Sequence, residues 1–233
     1  MIDIEIRKPS DISCQDKLKM YQLMGQYYHG VNRTQFDKDL LDKQNVITLH
    51  HNRDICGFST QAIWNLTYDD IEFKVVFSGD TIVDRSKRAT TGLPFAFARF
   101  LFSEYDQNRN KPLYWLLTSK GYKTYHAMTT FFYRYFPSRN GNESEEEMRV
   151  LQKIMAQKFN GNLDKTNWVL KAKADSQRLR ICHDEFSPCS KRTPGLEFFE
   201  KMNPGHQNGD ELVCFARFCE TNIKRQLWRR LFE

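Results

Sequence analysis

The sequence lacks any long hydrophobic run. A membrane-spanning helix needs roughly 20 consecutive apolar residues, and no stretch of the 233 residues approaches that length. The opening stretch, MIDIEIRK, contains no apolar segment of the signal-peptide type. We therefore expect a soluble, cytoplasmic protein.

The sequence also lacks a regular cysteine framework, an internal repeat and a low-complexity linker. Its 6 cysteines fall at irregular spacings, which is typical of reduced thiols. Cys182, His183 and Cys189 lie close together, but no second ligand pair follows at zinc-finger spacing, so we predict no metal site. We expect a single domain over 1–233.

Positive charge and aromatic residues are well represented. The net charge is +6, and 18 Phe and 10 Tyr contribute to an aromatic content of 14%. The charge fits an anionic partner such as coenzyme A, an acidic carrier protein, nucleic acid or a membrane surface, and it selects none of them. The aromatic residues suit either a thick core or an apolar ligand tunnel.

Hydrophobic periodicity predicts a mixture of strands and helices. Apolar residues at Ile2, Ile4 and Ile6 alternate with charged ones, which predicts a half-buried first strand. Further strands are predicted at 46–49, 55–66, 71–84, 112–118 and 211–218, and helices at 15–28, 34–41, 94–105, 122–136, 144–159 and 196–202. Residues 138–194 are largely polar and irregular, so we predict an insertion or lid within the domain.

The stretch 73–102 organises the chain. It begins as a strand that Gly79 interrupts, which predicts a bulge or splay. A charged turn at 84–88 and a loop of small residues follow, and then a helix with Pro94 in its first turn. A basic loop ahead of a helix N-terminus favours phosphate binding, because unpaired N–H groups and the helix dipole point toward the anion.

This order resembles the central motif of the GNAT acyltransferase superfamily. In that family a strand leads to an Arg/Gln-x-x-Gly-x-Gly/Ala loop that holds the pyrophosphate of coenzyme A. Here Val83-Asp84 ends the strand, Arg88 fits the Arg position and Gly92 lies one place out of register as the single glycine. The resemblance covers roughly 2–137.

The resemblance implies an α/β fold of the α+β kind. Its centre is a mixed, mostly antiparallel sheet with a V-shaped splay and helices on both faces. A helical and irregular insertion precedes the last strand, and 211–218 fits a returning edge strand.

The resemblance also implies a donor, which is acyl-CoA or acetyl-CoA, or an acyl group on an acyl carrier protein. It would bind in the V between the strands at 73–84 and 112–118. The implied donor-binding residues are Ile82, Val83, Arg85, Arg88, Thr90, Thr91, Gly92 and Leu93, with Lys87 assisting. The resemblance implies that the backbone groups of Ile82 and Val83 pair with the pantetheine arm and that the loop from Arg88 to Leu93 holds the pyrophosphate.

Direct attack of an amine on a thioester needs a base for the amine and an acid for the leaving thiolate. Asp80 lies beside the predicted bulge and is the candidate base. The family has a Tyr near the end of the helix that corresponds to 122–136. Here that position either falls on Phe131 or is displaced to Tyr133, which is the candidate acid. Other titratable residues near the predicted cleft are Glu72, His50, His51 and Tyr135.

Three functions stay open. The first is an acyltransferase that acts on a small-molecule or peptide amine. The alternative is a catalytically inactive GNAT-like module that binds a ligand or protein. The third, a nucleic-acid-binding protein, is supported only by charge and by mixed Arg and aromatic residues. The basic amphipathic end at 222–233 suits docking to an acidic carrier protein or an anionic membrane surface.

Overall fold

The computed structural model describes residues 2–90, 92–107, 109–159, 161–180 and 192–232. The strands are β1 (Ile2–Arg7), β2 (Tyr28–His29), β3 (Asn45–His51), β4 (Asp54–Tyr68), β5 (Ile71–Val83), β6 (Leu113–Ser119), β7 (Leu163–Asp164), β8 (Val169–Leu170), β9 (Arg178–Leu179) and β10 (Glu211–Phe218). The helices are α1 (Cys14–Tyr27), α2 (Arg33–Leu41), α3 (Leu93–Asp106), α4 (Tyr122–Phe131), α5 (Glu145–Lys158), α6 (Pro194–Met202) and α7 (Arg225–Phe232).

A central sheet carries the fold, with the strand order β1-β3-β4-β5-β6-β10-β8-β7. Strands β5 and β6 run parallel, while the other neighbours in this sheet are antiparallel. A separate two-stranded ribbon joins β2 to β9. The predicted fold class, α/β with a mixed and mostly antiparallel central sheet, is confirmed.

Helices cover both faces of the sheet, because successive side chains of a strand point to opposite faces. In β6, Trp115 and Leu117 pack in the cluster formed with α3, α4 and α6. Their neighbours Tyr114 and Leu116 pack in the cluster formed with α5. All five residues from Leu113 to Leu117 are buried, so the continuous apolar run is a central strand, as predicted.

The junction from β5 to α3 also follows the prediction. The pairing of β4 with β5 shifts between Ser59 and Gln61, so that Gly79 and Asp80 together face the single residue Thr60. This is a β-bulge, which bends the strand and re-aims a side chain. A 3-10 turn over Arg85–Thr90 then leads to α3.

Three predictions of local structure were wrong. Strand β1 is an edge strand and not half-buried, since Ile4 and Ile6 are 39% and 49% exposed. Strand β10 lies between β6 and β8 and not at the sheet edge. Helix α4 ends at Phe131, because the chain then turns to exchange hydrogen bonds between Phe136 and Phe215 of β10, at 2.7 and 2.9 Å.

The segment 138–194 contributes to the core. Helix α5 begins after Ser144, whose side chain accepts a hydrogen bond from the Glu147 amide, as expected for a helix cap. Its Leu151 and Ile154 are fully buried against the sheet. Strands β7 and β8 extend the sheet beyond β10. Cys182, His183 and Cys189 lie outside the described residues.

Two absences hold for the described residues. No helix among them is both long and apolar enough to traverse a bilayer. In the same part of the chain, no three His, Cys, Asp or Glu side chains come together as a metal would require.

Candidate active site

The site lies where β5 and β6 part. Their parallel pairing runs from Lys74 opposite Leu113 to Ser78 opposite Leu117. Beyond that pair, β5 continues along β4 while β6 continues along β10. The two strands therefore form the arms of a V, with its vertex at Ser78 and Leu117, as the resemblance implied.

A cavity of about 730 Å³ opens between these arms. Its walls come from the ends of β5 and β6, the first turns of α3, one side of α4, and parts of α2 and the β2–β9 ribbon. Its lining includes Asp39, Lys43, Ser78, Asp80, Ile82, Val83, Leu93, Phe97, Trp115, Thr118, Lys120, His126, Phe131 and Glu211.

Asp80 is half-buried, and its place in the bulge puts it on the cavity wall. Burial raises the pKa of its carboxyl, and the nearby positive charges of Lys120 and Lys43 oppose that rise. The negative charges of Asp39 and Glu211 push the pKa further up. The candidate base predicted from the sequence therefore lies in the site with an increased proton affinity.

The opposite arm carries a charged pair. Lys120 Nζ forms an ion pair with Glu211 Oε1, and the Thr118 hydroxyl donates to Glu211 Oε2. The side chains of Lys120 and Glu211 are only 17% and 26% exposed. Since Glu211 has two partners, it holds the Lys120 ammonium at the cavity wall.

His126 on α4 is a cavity residue that the sequence reasoning did not select. Its Nδ1 lies 2.9 Å from the Thr129 hydroxyl, which also lies 2.9 Å from the His126 carbonyl oxygen. The Tyr122 hydroxyl lies 3.4 Å from the same Nδ1, and the hydrogen-bond roles of the two ring nitrogens depend on the tautomer. Burial and the positive charge of Lys224 lower the pKa of His126, so the ring is neutral at pH 7.

The structure describes only part of the predicted donor-binding loop. Leu93 is buried and lines the cavity, and Gly92 caps α3 with a φ of +58°, a conformation that favours glycine. The Arg85 amide donates to the Tyr27 hydroxyl at 2.7 Å. Thr91 and the side chains of Arg88 and Thr90 lie outside the described residues, so their predicted contacts stay predictions.

Ile82 and Val83 both line the cavity. The Asp84 amide donates to the Cys56 carbonyl at 2.8 Å. Because alternate residues of an antiparallel ladder bond to the same neighbour, the main chain of Ile82 is also directed toward β4. The predicted pairing of the Ile82 main chain with a pantetheine arm therefore competes with its sheet bonds.

The candidate acid is not brought to the site. Tyr133 is 53% exposed, and its hydroxyl accepts a hydrogen bond from the Arg225 amide at 3.4 Å on the side of α7. It does not line the cavity. Tyr135 contacts the ring of Tyr125, with 6.3 Å between centroids.

The other titratable candidates also lie elsewhere. Glu72 forms a 2.5 Å ion pair with Lys111 at the far end of β5. His50 Nε2 lies 3.0 Å from an Arg7 guanidinium nitrogen, facing β1, and His51 ends β3 beside the hairpin turn. The structure therefore leaves Asp80 as the residue of the predicted catalytic set that lines the cavity.

The basic C-terminal helix, α7, packs its apolar side against the core of the domain. Leu227 and Trp228 pack against the core, with 6.1 Å between the Trp228 and Phe102 ring centroids. Arg225 and Arg229 are exposed. A carrier protein or membrane as the partner of this helix stays a prediction.

No family model and no curated protein matches the sequence. Solved structures show partial likenesses. A conserved protein of unknown function from Enterococcus faecalis, a probable N-acyltransferase, is 11% identical, with a TM-score of 0.42 over 57% of this chain and 33% of its own. This chain thus spans about a third of that protein's length.

Two further likenesses cover more of the matched structures. A predicted acetyltransferase from Clostridium acetobutylicum, solved with acetyl-CoA, is 15% identical, with a TM-score of 0.38 over 51% of this chain and 81% of its own. Glucosamine-6-phosphate N-acetyltransferase from Arabidopsis thaliana is 19% identical, with a TM-score of 0.37 over 49% of this chain and 81% of its own. The element order through α4 and the splay between β5 and β6 agree with the fold that the sequence resemblance implied.

Proposed function

We propose that this protein is an acyltransferase that moves an acyl group from a coenzyme A thioester to an amine by direct attack. One observation carries the proposal. The Asp80 carboxyl, with its raised pKa, lines a cavity between two parallel strands that part beside it. Amine attack on a bound thioester requires a proton acceptor within reach of the attacking nitrogen, and Asp80 is placed to serve as one.

The donor enters the V from its open end. The anionic nucleotide end belongs near the loop from Arg85 to Leu93, where Gly92 allows close approach at the start of α3. The acyl end then points toward the vertex at Ser78. An acyl group on an acidic carrier protein enters by the same route.

Asp80 accepts the proton that the attacking amine must lose. The nitrogen lone pair forms the C–N bond, and the C–S bond breaks with its electron pair on sulfur. The Lys120 ammonium, which Glu211 holds at the wall, stabilises negative charge on the carbonyl oxygen and the sulfur. Because a thiol has a pKa near about 8.5, the thiolate leaves readily as an anion. This scheme does not need Tyr133.

The position of Tyr133 favours an alternative, which is a GNAT-like module that binds a ligand or protein without turnover. In that case coenzyme A species bind but no thiol is released. Tyr133→Phe addresses the predicted acid role directly, since a large loss of rate would restore this residue to the mechanism.

The test is the rate of thiol release from acetyl-CoA with a panel of primary amines. For Asp80→Asn we expect a fall in kcat of roughly 100-fold or more, the usual contribution of a general base. Glu72→Gln is the matched control, because it removes a carboxylate from the same strand outside the cavity. An Asp80→Asn variant as fast as the control would reject Asp80 as the base.

A further inference from the structure

We propose that Trp115, held in place by Ser78, forms the end wall of the acyl site and limits the donor to short acyl groups. The inference rests on the proposed function and specifies its substrate class. The aromatic residues around the splay then form a fixed barrier, and they do not form a tunnel for a long acyl chain.

The indole of Trp115 bridges the vertex of the V. Trp115 lies on β6, and its Nε1–H donates to the Ser78 hydroxyl of β5 at 2.8 Å. Ser78 is also the residue at which the pairing of β5 with β6 ends. The side chain therefore crosses from one arm to the other where the arms begin to part, and both residues line the cavity.

This wall is rigid. Trp115 is 4% exposed, and its ring packs against Phe97, Phe131 and Phe132 with centroid distances of 4.9, 6.1 and 5.8 Å. A buried indole N–H requires an acceptor, and the Ser78 hydroxyl supplies it. Rotation of the indole out of the way would break this bond and disrupt the aromatic packing around it.

The space ahead of the wall is short. Asp80 lies two residues beyond Ser78. Two residues of a regular strand span about 6.6 Å, and the bulge at Gly79 and Asp80 makes this the upper limit. Contact between the acyl terminus and the ring occupies about 3.5 Å of that length. The remaining 3 Å or so holds roughly two carbon–carbon bonds of about 1.5 Å each. A thioester carbonyl beside Asp80 is therefore followed by a chain of two carbons at most.

The experiment compares acetyl-, butyryl-, hexanoyl- and octanoyl-CoA with one amine acceptor, by kcat/KM for thiol release. For the natural chain we expect acetyl-CoA to be favoured over octanoyl-CoA by at least 100-fold. Trp115→Leu opens the wall and should raise the octanoyl-to-acetyl ratio at least 10-fold. Trp115→Phe, which keeps an aromatic ring, should raise it less, and Ser78→Ala should also relax the preference.

Tyr114→Leu is the matched control. Tyr114 is the neighbouring residue of β6, is 1% exposed and stacks on Phe215 on the opposite face, with 5.0 Å between centroids. It removes an aromatic ring of similar size from the core without touching the cavity. The control should keep the preference of the natural chain for acetyl-CoA.

Two results would overturn the inference alone: efficient turnover of octanoyl-CoA by the natural chain, or equal chain-length ratios in Trp115→Leu and Tyr114→Leu. If no donor turns over, thermal unfolding with the same four thioesters decides. Equal stabilisation by acetyl- and octanoyl-CoA would still overturn the inference, and a larger shift with acetyl-CoA would support it. No turnover and no shift with any of them would reject the proposed function and this inference together.

Discussion

Asp80 illustrates a conflict between the needs of a single residue and those of the fold. A carboxylate that takes up a proton readily must be partly withdrawn from water, and that withdrawal destabilises its charged form. The bulge at Gly79 and Asp80 brings this about, since it turns an acidic side chain into the splay. The energetic cost falls on the folded state alone.

Asp80→Asn should therefore raise the stability of the protein at neutral pH while it removes activity. The folded-state pKa of Asp80 lies above its unfolded value, so its contribution is most favourable below the unfolded pKa of about 3.9. That contribution is lost as the pH rises through the folded pKa. The difference in Tm between variant and natural chain should thus be larger at pH 7 than at pH 4.

Thermal unfolding of both proteins across pH 4–8 measures this difference. A gain of a few degrees is expected, because about 1 kcal/mol corresponds to roughly 2–4 °C in a domain of this size. A variant that is less stable than the natural chain at pH 7 would contradict the account of Asp80.

At this scale the sequence predicted the place of Asp80, because a glycine inside a strand pattern signals a bulge and Asp80 stands next to it. It did not predict that His126 lines the cavity. The aromatic residues of α4 showed its buried face, and a histidine on the other side of a helix has no periodic signal. Only the splay, a tertiary feature, brings that side of α4 to the cavity.

The bulge of β5 is the element on which the site depends. A Cβ at Gly79 would lie 2.5 Å from the Thr60 hydroxyl and 2.9 Å from Lys43 Cε. Glycine is required there because the strand packs closely against these groups. This packing also keeps Lys43 beside the bulge that carries Asp80.

Gly79→Ala should destabilise the protein by roughly 1–3 kcal/mol, the usual cost of overpacking. Gly25→Ala in α1 should have the opposite effect. Nothing lies within 4 Å of its added Cβ, and alanine in a helix is favoured over glycine by about 0.5–1 kcal/mol. The urea unfolding midpoints of the two variants, compared with that of the natural chain, test whether Gly79→Ala lowers stability and Gly25→Ala raises it. Equal midpoints would show that the bulge tolerates a side chain.

The end of α4 shows where element prediction failed. Aromatic residues keep helical spacing to Phe136, so local pattern extended the helix five residues too far. The interactions that replace the last helical turns are non-local. Phe136 pairs with Phe215, and the Tyr133 amide donates to the Asn222 carbonyl at 2.9 Å. Partners almost 80 residues or more away leave no trace in a local window.

For the whole molecule, the prediction concerns ligand binding. We expect coenzyme A, acetyl-CoA or both to raise Tm, and ATP to have little effect, because ATP lacks the arm that fills the splay. A ligand at about 100 times its Kd adds roughly 2.7 kcal/mol to stability. In a domain of this size that is a rise on the order of 5–10 °C.

The measurement is Tm from thermal unfolding, made in parallel with coenzyme A, with acetyl-CoA, with ATP and without ligand. A shift of equal size with ATP would point to recognition of phosphate groups alone. No shift with either coenzyme A species would place the inactive module ahead of the acyltransferase.

The position of β10 also has a consequence for synthesis of the chain on the ribosome. One arm of the V, β5, is complete once Val83 has emerged, and its neighbour β4 and the next strand, β3, precede it in the chain. The other arm, β6, gains its second neighbour only after Phe218. From the end of β6 at Ser119 to the end of β10 at Phe218, about 100 residues are therefore translated while one edge of this mostly apolar strand is unpaired. At ~5–20 residues per second, synthesis of this part of the chain takes several seconds. During that time the nascent chain exposes an unpaired apolar strand edge, the kind of surface that chaperones protect from aggregation.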